Sequence, residues 1–282
     1  MTALSVAVAP RRPVGAGWLK YVSIARVAFW QRLSERAVLI GRIAFYFLVL
    51  LVFSCVWRTL FGAHPEQAGH GSASGRTAAD YVWYLALTEW IMLSQPALYL
   101  DIEADVRSGD IAYQLTRPLS YVGGKLAEGA GDLLLRLLIL APFGLVFARL
   151  LSGQWAEPLA LGCAALVGVL AAAVMLLSYA GIGLCAFWLH DITPVYLVWQ
   201  KLMFVLGGLM VPLSLYPEWL QLLARYLPFA SFLYEPGRLV LEGSSAFQPG
   251  LLLRLAGWLV LAALVVAGLE RLGRRSIEIQ GG

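Results

Sequence analysis

From Ala37 to Phe61 the chain is apolar almost without a break, and similar runs recur at Asp80–Leu100, Leu133–Leu151, Leu159–Phe187, Pro194–Leu215 and Leu251–Leu269. Each is long enough, at about 20 residues, for a helix to cross the hydrocarbon of a bilayer. Hydrocarbon offers backbone amides no water, so a spanning segment must be a helix or belong to a closed barrel. These runs lack the alternation of barrel strands, which leaves helices. Composition agrees, with a mean hydropathy of +0.74 and only 13% charged residues, about half the share in soluble domains. The expected fold is therefore all-α and integral to a membrane, with six transmembrane helices. Within 282 residues six spans leave no room for a soluble catalytic domain. We expect a segment 1–36 followed by one membrane domain, 37–282.

Residues 18–36 carry a different pattern. Trp18, Val22, Ala25, Phe29 and Leu33 fall on one helical face, Lys20, Ser23, Gln31 and Ser34 lie opposite, and Arg26, Arg32 and Arg36 flank the stripe. This predicts an amphipathic helix in the headgroup plane, its basic residues toward anionic lipid. No apolar block of signal-peptide length precedes Lys20 and Arg26, so the N-terminus is expected to stay in the cytosol. Cys55, Cys163 and Cys185 all lie inside apolar runs and read as packing residues.

Lysine and arginine set the orientation. Twelve fall on one side of the six spans (Arg11, Arg12, Lys20, Arg26, Arg32, Arg36, Arg107, Arg117, Lys125, Arg271, Arg274, Arg275) and three on the other (Arg76, Arg225, Arg238). Both termini are thus expected in the cytosol, with the inner (cytoplasmic) membrane as location. The pI of about 9.0 follows from this bias and calls for no nucleic-acid partner. On the outer side, Tyr216–Gly243 is broken by Pro217, Pro228 and Pro236. That predicts short helices at Pro217–Leu227 and Pro236–Glu242, too short to cross, re-entrant or resting on the outer face before the last span.

The one sizeable cytosolic loop between spans is 101–125, DIEADVRSGDIAYQLTRPLSYVGGK. Asp101 and Asp105 share a helical face, Arg107 can answer their charge, Gly109 permits a turn, and Pro118 stops any helix. A short charged element with apolar anchors at Ile111, Leu115 and Leu119, held just below the membrane, is the kind of surface a partner protein grips.

At this point the sequence resembles the ABC-2 class of ABC transporter permeases over nearly its whole length. The likeness rests on an amphipathic entry helix, six spans, broken outer helices and a short basic tail ending RRSIEIQGG. Asp105, Val106, Arg107, Ser108, Gly109, Asp110, Ile111 and Ala112, followed by Leu115, Arg117 and Pro118, look like the cytosolic signature of one branch of that class. The resemblance implies that Asp105, Arg107, Ser108, Gly109, Asp110, Leu115, Arg117 and Pro118 contact a separate ABC ATPase subunit. It also implies pairing with a second permease, identical or related, and transport in the direction of export.

Two charges lie inside spans at real cost, Glu89 near the centre of the second and Arg42 about two turns into the first. They are candidates for an intramembrane ion pair or for the translocation path. Arg136 and Lys201, near cytosolic ends, are expected to snorkel. His190, beside Asp191, reads as part of a tight cytosolic turn facing the partner. No GxxxxGK[ST] loop, HExxH motif or cysteine pair at metal spacing occurs. No enzymatic activity, metal or cofactor is therefore expected on this chain, and ATP and Mg belong to the partner ATPase. The rival reading is an ATPase-independent secondary transporter or channel with Glu89 as its ion site. The absence of an internal hydropathy repeat and the scarcity of intramembrane charges weigh against it.

Overall fold

A computed structural model describes residues 17–63, 76–115 and 119–280. The described residues are helical, with no strand among them. Helix α1 (Gly17–Ser34) leads into α2 (Arg36–Ala63), and α3 (Ala78–Leu93) returns across the bundle. Two short helices follow, α4 (Leu98–Ser108) and α5 (Asp110–Leu115), then the long α6 (Tyr121–Ser152) and α7 (Pro158–Leu184). Beyond α8 (Thr193–Leu206) come three short helices, α9 (Glu218–Tyr226), α10 (Pro228–Phe232) and α11 (Tyr234–Glu242), and the chain ends in α12 (Pro249–Gln280).

Among the described residues, four helices are long and apolar enough to cross a membrane: Arg36–Phe61, Tyr121–Ser152, Pro158–Phe187 and Pro249–Arg275. The other two expected spans are shorter than the sequence suggested. The second stops at Leu93, because Pro96 lacks an amide proton and the chain breaks before α4. The fifth stops at Leu206, where Gly207 and Gly208 follow and Gly208 adopts φ +66°. At 16 residues α3 is about 24 Å long, yet every residue from Tyr81 to Ile91 is buried. A helix apolar around its whole circumference belongs at the centre of a bundle. Accordingly α2, α6, α7 and α11 all pack on α3.

Carbonyls freed at helix ends find donors on neighbouring helices, as a chain without access to water requires. Where α8 unwinds, Tyr84 Oη donates to the Gly208 carbonyl and Thr88 Oγ1 to that of Leu209 at 2.8 Å. At the end of α6, Arg58 of α2 donates to the Leu151 carbonyl. Helix α11 reaches deep beside α3, for a Cβ on Gly237 would collide with the Tyr84 ring and touch Thr88. Only glycine lets the two backbones approach this closely. The outer break thus contains three helices where the sequence suggested two, since Pro228 opens α10.

The third expected span begins twelve residues early, at Tyr121, so the tail of the expected loop is helix. Ser120 caps it by accepting from the Gly123 amide at 3.2 Å. Its glycine-rich first half is where α1 sits: a Cβ on Gly131 would overlap the Ala25 carbonyl. Helix α1 therefore packs on α6 through Ala25, Phe29, Arg32 and Leu33, which are half-buried, while Trp18 and Val22 of the expected stripe stay exposed.

Candidate functional site

The α4–α5 elbow is built from the inside. Ile102 and Glu103 are buried on the inner face of α4, and Gly109 closes the helix with φ +81°, its amide donating to the Val106 carbonyl at 3.3 Å. The left-handed conformation suits glycine and turns the chain directly into α5. Ser108 Oγ donates to Asp110 Oδ2 at 2.9 Å and accepts from the Asp110 amide at 3.3 Å, which ties the turn. Ile111, 3% exposed, anchors α5 in the core.

Asp105 is the brace of this element. Its Oδ2 accepts from Tyr121 Oη at 2.9 Å and Gln114 Nε2 at 3.1 Å, and it pairs with Lys125 Nζ at 2.8 Å. One carboxylate thereby joins α4, α5 and α6. Within the chain the Asp105 carboxylate is already engaged on three sides. Arg107 likewise answers Glu103, at 3.5 Å, rather than Asp101 or Asp105. Glu103 Oε1 also accepts from the Ile192 amide at 3.3 Å, which pins the elbow to the turn before α8.

What remains on the outside is compact. Arg107, Ser108, Gly109 and Asp110 are exposed in sequence, and His190 and Asp191 are exposed in the adjoining turn. Hydrogen bonds from Thr193, from its side chain and then its amide, hold the Asp191 carboxyl below the ordinary range, aided by Arg107. The elbow is thus a surface of mixed charge on a rigid support. Arg117 and Pro118 lie outside the described residues, as does the side chain of Leu115.

The intramembrane pair suggested by the sequence is not formed. Arg42 Nη1 donates to the carbonyl of Leu93, the last residue of α3. A cation at the C-terminus of a helix satisfies a freed carbonyl and meets the negative end of the dipole. Glu89 is 4% exposed and has no ion pair among the described residues. It sits on α3 between Ala86, whose carbonyl accepts from Tyr46 Oη, and Leu93.

A second ionic centre escaped sequence reasoning. Within α6, Arg136 grips Asp132 with two hydrogen bonds of 2.6 Å and donates through Nη1 to the Gln95 carbonyl at 2.8 Å. Arg32 of α1 approaches the same carboxylate at 3.5 Å. Arg136 therefore does not snorkel; it holds the break between α3 and α4 against α6. The signal was present in the i,i+4 spacing of Asp132 and Arg136. Among the described residues no three His, Cys, Asp or Glu side chains group to hold a metal ion.

Residues 79–280 match the profile of the family described as ABC-2 family transporter protein, a stretch that runs from α3 through the elbow to the end of α12. No curated protein matches the chain.

Proposed function

The chain belongs to the ABC-2 transporter family and is a multi-pass membrane permease, and from that premise we propose that it couples ATP hydrolysis on a separate ABC ATPase to export. The observation that carries the coupling is the elbow, an exposed turn at Arg107–Asp110 whose support runs through Asp105 into α6 and through Glu103 to the start of α8. A push on a turn so braced moves helices rather than bending a loop, which is what transmission from an ATPase requires. ATP and Mg then reside on the partner subunit, and Arg107, Ser108, Gly109 and Asp110 meet it directly.

In this reading α3 and α8 complete six crossings despite their length, since α3 is sheathed by protein and the unwound end of α8 is covered by α9–α11. Helices α10 and α11 are re-entrant from the outer face, α1 lies at the cytosolic interface, and both termini are cytosolic in the inner membrane. Residues 1–36 form the entry segment and 37–282 the transmembrane domain. A second permease copy or a related permease completes the path.

Co-purification of a co-expressed ABC ATPase tests the coupling. Arg107→Glu reverses a charge on the exposed turn and should weaken retention of the ATPase about tenfold or more, while the permease alone keeps its thermal stability. Retention at the level of the unsubstituted chain would remove the elbow from the interface.

A further inference from the structure

At the end of the bundle opposite the elbow lies a cavity of about 670 Å³, enclosed by α9, α11 and the start of α12. Polar groups line it: Ser214, Gln221, Arg225, Arg238, Gln248 and Arg254. The two carboxylates on its wall are fully engaged. Glu235 takes Arg238 at 3.0 Å and Arg254 at 2.9 Å, and Glu242 takes Arg238 at 3.0 Å and Arg76 at 3.1 Å. Arg225 has no ion pair or hydrogen bond among the described residues, and the Ser214 hydroxyl is buried without a partner. Four arginines against two glutamates leave the cluster cationic. The Ser214 hydroxyl is a buried donor without an acceptor and Arg225 an exposed cation without a counter-ion, so the cavity favours an occupant that brings anionic oxygens.

The same helix that lends Gln221 and Arg225 to the cavity turns a different face outward. Trp219, Leu222, Leu223 and Tyr226 fall at i, i+3, i+4 and i+7 on α9, and Trp219 and Tyr226 are 68% and 77% exposed. A nine-residue helix with a polar face on a cationic cavity and an apolar face on the surrounding medium suits a ligand that is itself amphiphilic. An inorganic anion would leave the apolar stripe unused, and a neutral lipid would leave Arg225 and Ser214 unanswered.

We propose that this cavity and the outward stripe of α9 form a binding site for a phosphodiester lipid, its phosphate held by Arg225 and Ser214 and its acyl chains lying along Trp219, Leu222 and Tyr226. The site stands on the permease alone and does not depend on the ATPase interface.

The test is lipid binding to the purified permease in detergent, read by native mass spectrometry and by the thermal shift on adding lipid. Phosphatidylglycerol, diacylglycerol and glycerol phosphate serve as probes. Phosphatidylglycerol should bind and raise the melting temperature, and neither the headless lipid nor the chainless phosphate should match it. Arg225→Gln should weaken phosphatidylglycerol at least tenfold, Arg225→Lys should retain most of the binding, and Trp219→Ser should weaken the lipid without unfolding the chain. Arg149→Gln, which removes an arginine stacked on Trp155 away from this cavity, should bind as the unsubstituted chain does. Equal binding of diacylglycerol or of glycerol phosphate, or unchanged binding by Arg225→Gln, overturns the proposal.

Discussion

Arg42 of α2 and Leu93 of α3 are joined by a hydrogen bond from the guanidinium to the last carbonyl of the helix. The cation therefore acts as a cap on α3 and leaves Glu89 to itself. Arg42→Met would strand a partly buried carbonyl at the end of α3, at a cost of about 1–3 kcal/mol. Glu89→Gln replaces a buried carboxyl by its neutral isostere and should not destabilise. Because the two side chains do not pair, the double substitution should be additive within about 0.5 kcal/mol. Thermal unfolding in detergent of the four members of this cycle decides the matter; a coupling well above that margin would restore the ion pair.

Glu89 keeps a carboxylate in the core of α3, where a charge at the bilayer centre costs at least about 2.5 kcal/mol. If that cost serves the path, Glu89→Gln should insert and fold normally yet change transport. Transport in proteoliposomes indistinguishable from that of the unsubstituted permease would show the carboxylate to be dispensable.

Asp132 and Arg136 are a different case, since Asp132 is buried, Arg136 is largely covered, and each holds the other. Breaking such a pair by removing one partner costs about 3–5 kcal/mol. Asp132→Asn should lower the melting temperature strongly, and Asp132→Asn with Arg136→Met should recover only part of the loss, because the Gln95 carbonyl then lacks its donor. A single variant as stable as the unsubstituted chain would mean that the fork carries no weight.

The apolar runs made the helical membrane fold legible, and Pro217, Pro228 and Gly109 marked real breaks. Less legible was where α6 begins. YVGGKLAEGAGD is rich in glycine and reads as loop by propensity, but Gly123 and Gly131 are small so that Tyr21 and Ala25 of α1 can press against the helix. Packing overrode propensity there. The role of Asp105 was hidden for a related reason: Tyr121 and Lys125, its partners, lie 16 and 20 residues away. Their approach depends on how the chain folds back after α5. Pro96 and Gly207–Gly208 were visible and did mark the ends of α3 and α8, inside runs whose hydropathy continues past them.

The twelve-to-three basic bias predicts that the elbow side is cytosolic. Cysteine introduced at Ser244, in the turn between α11 and α12, should react with an impermeant maleimide applied from outside, as should one at Gly71. Cysteine at Ser108 or Ser276 should react only after permeabilisation. Labelling of Ser108 from outside would invert the bundle and take the elbow away from any cytosolic ATPase.

The elbow can be dissected into surface and support. Arg107 is on the surface, so Arg107→Glu should release the ATPase and leave the permease intact; Leu115→Asp and Arg117→Glu, at the other positions the sequence proposes for the contact, are expected to do the same. Asp105 is in the support. Asp105→Asn keeps the shape but removes the charge that Lys125 answers at 2.8 Å, so the loss falls on how α4 is held to α6. Gly109→Val attacks the turn itself: nothing within 4 Å would obstruct the added carbon, and the cost of about 1–2 kcal/mol comes from a branched residue forced to positive φ. Asp105→Asn should therefore bind the ATPase but uncouple it, with ATP hydrolysis continuing while transport falls; Gly109→Val, in the turn that meets the ATPase, should weaken binding and transport together. The readouts are ATPase retention, hydrolysis and transport measured on the same reconstituted complexes. If Asp105→Asn releases the ATPase as Arg107→Glu does, support and surface are not separable, and the braced elbow fails as the account of coupling.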